Sequence, residues 1–176
     1  MENEEEVAHH CSFRRNAVSC SVIRAVFVGC IGDVMSVPFA PALAAEVVRV
    51  GIEIAEAIGS PMAVAFVDGG ARLVAFARTT DATPAAVDAA PAKARTALWF
   101  GRPTADTLDM AERRPVVYET LLGTSPHPLV LSMGGLCLQV DGHTVGAIGA
   151  AGARLGATDV EVAQAMLRTW VAGRDV

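Results

Sequence analysis

Within the stretch KARTALWFGRPT, residues 93–104, a lysine and a threonine stand three positions apart. On a helix starting near Pro91, Lys93 and Thr96 share one face while Arg95 points elsewhere, so an ammonium and a hydroxyl can meet one ligand together. A purely structural alternative stands beside that reading: Lys93 pairs with Asp88 or Asp68, and Thr96 bonds back to its own helix. After the Gly101 break, Arg102 and Thr104 form a second group. A helix N-terminus offers free backbone donors and arginine a two-pronged fork, which together hold a carboxylate; otherwise Thr104 simply caps the following helix and Arg102 faces solvent.

Further along, Gly134 and Gly135 precede a strand, where missing side chains admit a ligand or a neighbouring backbone. His127, held between two prolines in TSPHPLV, is a candidate acid/base or axial metal ligand on a loop. Cys137 is either an apolar filler or a thiol lining the same pocket. Tyr118 and Met133 are conceivable iron ligands whose ordinary role is packing, and His143 belongs to a solvent-facing turn. No Ser-His-Asp grouping or nucleophile elbow is evident, and GAIGAAGA sits on a strand and is no dinucleotide fingerprint.

These residues must be carried by definite elements. Leu43, Val47, Val50, Ile54 and Ile58 recur at helical spacing, predicting an amphipathic helix from Pro41 to about Gly59. Two β-rich runs, 63–68 and 72–78, flank Gly69-Gly70, predicting a hairpin whose turn draws positive φ from the glycines. The alanine-rich run after Thr83 is helical in propensity, but Pro91 is expected to end a short turn near Ala90 and open a firmer helix to Phe100. Another short helix is expected from Thr104 to about Arg113. The prolines at 115, 126 and 128 then predict a long irregular connection over 114–135 with a helical turn around Tyr118. A second hairpin, 136–140 and 144–150, turns at Asp141-Gly142, and Asp159 is expected to cap a last helix. Helix, two strands, two helices, two strands and helix make an α+β domain: an antiparallel sheet of about four to five strands with flanking helices.

The bulk numbers agree with one such domain. The chain has 176 residues, 52% hydrophobic but only 5% aromatic, so its core is built from small aliphatic side chains. A net charge of −5 without a Lys/Arg cluster argues against nucleic acid as a partner, and no uninterrupted apolar run is long enough for a bilayer span. Cys11, Cys20 and Cys30 fall in the first forty residues, with spacings that match neither a disulfide framework nor a zinc site. A cytoplasmic location follows most simply. Residues 1–40 are expected to be a disordered or non-native leader, with Met35 as an internal start. Arg14-Arg15 before an apolar stretch is the alternative, a twin-arginine-like export signal interrupted by Arg24.

Three segments in order, AVAFVDGGARLVAFART, AKARTALWFGRPT and LQVDGHTVGAIGAAGA, resemble the signature segments of the GlcG/HbpS family, related to the C-terminal domain of PduO-type proteins. The resemblance covers roughly residues 41–172. It implies a profilin/PAS-like α+β fold over 41–176, assembly as a homo-oligomer, and binding of a small molecule, haem or another tetrapyrrole among the candidates. It also points to Lys93 and Thr96 as pocket or structural residues and to Gly134-Gly135 as the pocket floor. Cys137 stands where family members commonly carry proline, and Pro91 replaces a helix-friendly residue. The first expectation is thus a small-ligand-binding protein with Thr96, Arg102, Thr104, Gly134, Gly135 and Cys137 around the ligand and no bound metal apart from a possible haem. The alternative is a cofactor-free isomerase, cyclase or lyase acting on a small carboxylated or carbonyl substrate, with Lys93 and His127 transferring protons. A sensory or structural oligomer is the third.

Overall fold

The computed structural model describes residues 41–174. The expected leader lies outside the described residues. In chain order the elements are α1 (Pro41–Ala57), β1 (Ala63–Asp68), β2 (Leu73–Arg78), α2 (Pro84–Phe100), α3 (Thr104–Arg113), α4 (Pro115–Thr124), β3 (Gly135–Val140), β4 (His143–Ala151) and α5 (Gly156–Arg174). The four strands form one antiparallel sheet in the order β2-β1-β4-β3. The fold is α+β, as the order of periodic segments predicts.

The period-two alternation of a strand sorts the central pair onto two different cores. Val64 and Phe66 of β1 and Ile148 and Ala150 of β4 pack with Val47 and Val48 of α1 and with Val162, Met166 and Trp170 of α5. Ala63 and Ala65 of β1 and Ala151 of β4 instead meet Ala86 and Ala90 of α2, while Val67 and Ala147 meet Ala94 and Ala97. One side of the sheet is therefore built from bulky aliphatics, and the side under α2 from alanine and glycine.

That second side explains how closely α2 lies. Gly149 pairs with Ala65 on one flank and with Gly135 on the other, giving a row of minimal side chains across three strands. A Cβ on Gly149 would run into the Ala90 carbonyl and the Ala94 amide, and one on Gly135 into the Lys93 carbonyl. The helix backbone rests directly on the strands.

The structure departs from expectation at several points. Helix α2 is continuous through Pro91 and does not restart there. The Thr83 hydroxyl accepts the Ala86 N–H and Pro84 occupies the first turn, so nucleation lies upstream, and the packing of Ala90 and Ala94 on the sheet outweighs the hydrogen bond Pro91 cannot donate. Residues 115–124 are a ten-residue helix, with Pro115 at its start, where only a turn was expected. Glycines 69 and 70 do not supply the positive φ of the first hairpin. Ala71 does, at 62°, because the Asp68 carboxylate accepts the Gly70 and Arg72 amides and fixes the turn. In the second hairpin Asp141 (51°) and Gly142 (79°) are both left-handed, as a tight two-residue turn requires. Finally, α5 begins at Gly156, so Asp159 lies inside its first turn and does not precede it. None of the described helices is long and apolar enough to cross a membrane.

Candidate functional site

The close seat of α2 on the glycine row puts Lys93 inside the protein, with its side chain only 5% exposed. A lysine so deeply placed needs a partner. Its Nζ donates to Asp159 Oδ2 at 2.6 Å and to the Ala150 carbonyl at 3.1 Å. The carboxylate of Asp159, equally buried, also accepts the Ala153 amide on Oδ1 at 3.0 Å. One ion pair thus fastens the middle of α2 to the end of β4, to the turn that follows it and to the start of α5. The position of Asp159 in the first turn of α5 adds the favourable interaction of an anion with a helix N-terminus.

This pair borders a recess of about 280 Å³, which also touches Ala86 and Ala89 of α2, Ser132 of the loop before β3, and Gly152. Most of its other walls are small and apolar. Two of the three ammonium protons of Lys93 are committed to Ala150 and Asp159, which leaves one donor to offer. Through Gly152 and Ala153 the recess adjoins a larger groove of about 520 Å³, lined by Ile58, Pro61, Leu155 and others. The larger groove holds no comparable buried polar pair, and the chemistry concentrates in the smaller.

The remaining expected residues are distributed differently from the sequence reading. Thr96 does not share the recess with Lys93. Its hydroxyl bonds back to the Ala92 carbonyl at 2.8 Å and accepts the Val130 amide at 2.9 Å, pinning the loop before β3 to α2. Lys93 pairs with neither Asp88 nor Asp68. Thr104 does not act as a cap. It is the first residue of α3, fully buried, and its Oγ1 accepts the Gly135 amide at 2.9 Å, joining α3 to the head of β3. Arg102 is turned toward its own corner, its Nε donating to the Phe100 carbonyl at 3.2 Å and its guanidinium to the Met110 sulfur, away from the recess lining. Gly135 admits a neighbouring backbone, that of α2. Gly134, at φ 109°, leaves room for the Ala150 carbonyl and the Asp159 side chain.

His127 is half-buried on the loop after α4, where the Ser125 hydroxyl accepts its amide and donates to its carbonyl. It is not among the residues around Lys93. Tyr118 is buried against Phe100, ring centroids 5.3 Å apart, and His143 is exposed at the start of β4. Among the described residues no cluster of three metal-ligating side chains occurs.

Asp159 is the residue that sequence reasoning misassigned. It lies 66 positions from Lys93, a separation that carries no local pattern. The one available signal was the need of a lysine on an alanine-rich, buried helix face for some carboxylate.

Two expectations follow from this geometry. Thr104→Val keeps the shape and removes the acceptor of the buried Gly135 N–H, so urea unfolding should show a loss of about 1–3 kcal/mol, with Thr104→Ser close to wild type. Cys137 donates its thiol proton to the Ala97 carbonyl at 3.1 Å within an apolar cluster under α2. Burial pushes its pKa up to about 11 from 9.0, and a hydrogen bond with Thr144 offsets this only in part. The unfolded thiol gives up its proton first, so the stability this group contributes is complete below about pH 9 and declines as pH climbs toward about 11. Near pH 8 its iodoacetamide alkylation, followed on the Cys137 peptide by mass spectrometry, should be roughly a hundredfold slower in the native chain than in urea. That factor is the thiolate ratio set by 11 against 9.0.

No curated protein matches the chain. Among solved structures, a double mutant of HbpS from Streptomyces reticuli is 29% identical, with a TM-score of 0.67 over 74% of this chain and 85% of that one. A PduOC:heme complex is 26% identical, with a TM-score of 0.63 over 70% of this chain and 88% of that one. The Klebsiella pneumoniae protein ORFY, 22% identical with a TM-score of 0.69 over 76% and 91%, shares the fold. The family described as haem degrading protein HbpS-like matches residues 39–168, so this chain belongs to the HbpS-like family.

Proposed function

We propose that the chain is a small-ligand-binding protein of the HbpS type whose ligand occupies the recess beside Lys93 and Asp159. The observation that carries this reading is the buried ion pair itself: both side chains are 5% exposed, yet both border a space large enough for a small molecule. Stability alone gives weak reason to keep such a pair, because well-packed apolar residues of similar volume commonly do as well.

Family membership and the haem-bound relative make haem the first ligand to test. The residues of this recess do not fit it. No imidazole, thiol, thioether or phenol stands among its walls, and the only amine there is an ammonium already committed to Asp159. The recess also lies at the bottom of the size range of ligand pockets, roughly 300–1,000 Å³. A molecule smaller than a tetrapyrrole, with an oxygen to accept the spare Lys93 proton, suits it better.

Native mass spectrometry of the purified full chain tests this. A low-mass adduct is expected on the wild type and absent from the Lys93→Met/Asp159→Leu double variant. Equal occupancy in both proteins would refute the recess as the site. Hemin titration of the same preparations, followed at the Soret band, addresses the tetrapyrrole separately: binding that the double variant leaves unchanged would place haem elsewhere.

A further inference from the structure

We infer that Lys93 and Asp159 are an acid–base couple that moves a proton at the carbon beside the carbonyl of a small, uncharged α-hydroxycarbonyl compound, an activity that rests on the reading of the recess as the ligand site. The ammonium and the carboxylate cancel, so the recess offers no net charge to an anionic ligand, while each partner keeps hydrogen-bonding capacity beyond the pair. Lys93 retains one N–H, the carboxylate oxygens retain lone pairs, and Ser132 adds a hydroxyl. A carbonyl oxygen complements the first, an acidic C–H the second, and a neighbouring hydroxyl the third. At about 280 Å³ the space is small. That suits a short-chain hydroxy-ketone or hydroxy-aldehyde.

The step balances without any further reagent. Asp159 takes the α-proton, the C–H electron pair becomes the carbon–carbon double bond of an enediol, and the carbonyl π pair moves to oxygen, which receives a proton from Lys93. Both side chains end neutral. Return of the protons to the same carbon restores the compound, and return to the other gives its isomer. No electron leaves or enters. His127, named with Lys93 as a proton-transfer candidate from the sequence, takes no part, since it does not reach this recess.

Hydroxyacetone in D2O, followed by proton NMR with the full chain, is the test. Wild-type protein should speed loss of the methylene signal by at least about a hundredfold over buffer, the lower end of what a positioned acid or base contributes. Lys93→Met/Asp159→Leu should remain at the buffer rate. Ala89→Phe, which fills the recess without touching the pair, should do the same while its melting curve shows a folded protein. Saturation-transfer NMR separates binding in the recess from proton transfer there. Transfer to hydroxyacetone on the wild type, lost in Ala89→Phe, together with flat exchange would overturn the couple and leave the recess standing as a ligand site. Exchange that persists in the double variant would also overturn it. Neither transfer nor exchange, combined with no low-mass adduct on the wild type, would overturn both.

Discussion

Asp159→Leu should cost the protein about 3–5 kcal/mol, a large share of the roughly 5–15 kcal/mol that holds a domain of this size together. The substitution leaves the Lys93 ammonium enclosed with only the Ala150 carbonyl, and it also strips the Ala153 amide of its acceptor. Lys93→Met should cost somewhat less, since the abandoned carboxylate keeps the Ala153 amide and the N-terminal turn of α5. Made together, Lys93→Met/Asp159→Leu should recover most of either loss, because no charge then remains to be solvated. The four proteins form a double-mutant cycle, and urea unfolding gives the coupling directly. A coupling below about 1 kcal/mol is what an exposed surface pair shows, and would mean that water reaches these two groups freely.

Gly149→Val should be the most damaging single change on the sheet. Even the first carbon of the new side chain would collide with the backbone of α2 at Ala90 and Ala94, which no rotamer can avoid. Overpacking commonly costs about 1–3 kcal/mol, and a collision with backbone belongs at or beyond the upper end of that range. Relief requires α2 to lift from the row Ala65, Gly149 and Gly135, and Lys93 rides on α2. Loss of stability should therefore come with loss of the recess, read as disappearance of the low-mass adduct in native mass spectra. Gly123→Ala on α4 is the matched control. Nothing lies within 4 Å of its added carbon, and the helix gains up to about 1 kcal/mol from alanine, so the sign should reverse.

The contrast between these two glycines shows where the sequence was legible. Period-3.6 and period-2 patterns depend only on neighbours along the chain, and they located α1, both hairpins and α5 to within a few residues. The Asp141-Gly142 turn, the Gly101 stop after α2 and the HbpS-like signature segments were equally local. Pro91 and Pro115 misled for the same reason. A proline states a local preference, and α2 and α4 form because packing and upstream nucleation outweigh it or because it sits where a helix tolerates it.

The candidate site was only half readable. Lys93 and Gly135 stood out by type and spacing, and Thr96 and Thr104 by their hydroxyls, yet each hydroxyl turned out to hold a backbone amide from a distant segment. By itself, then, the sequence determined which faces are apolar, where the turns fall and that a lysine lies on a small-residue helix. Tertiary structure alone decided that this lysine is enclosed and that its partner is Asp159. Burial depends on how near two surfaces come, and an ion pair on where its ends meet in space. Here both follow from a glycine row on one strand pair accepting the backbone of a helix from elsewhere in the chain.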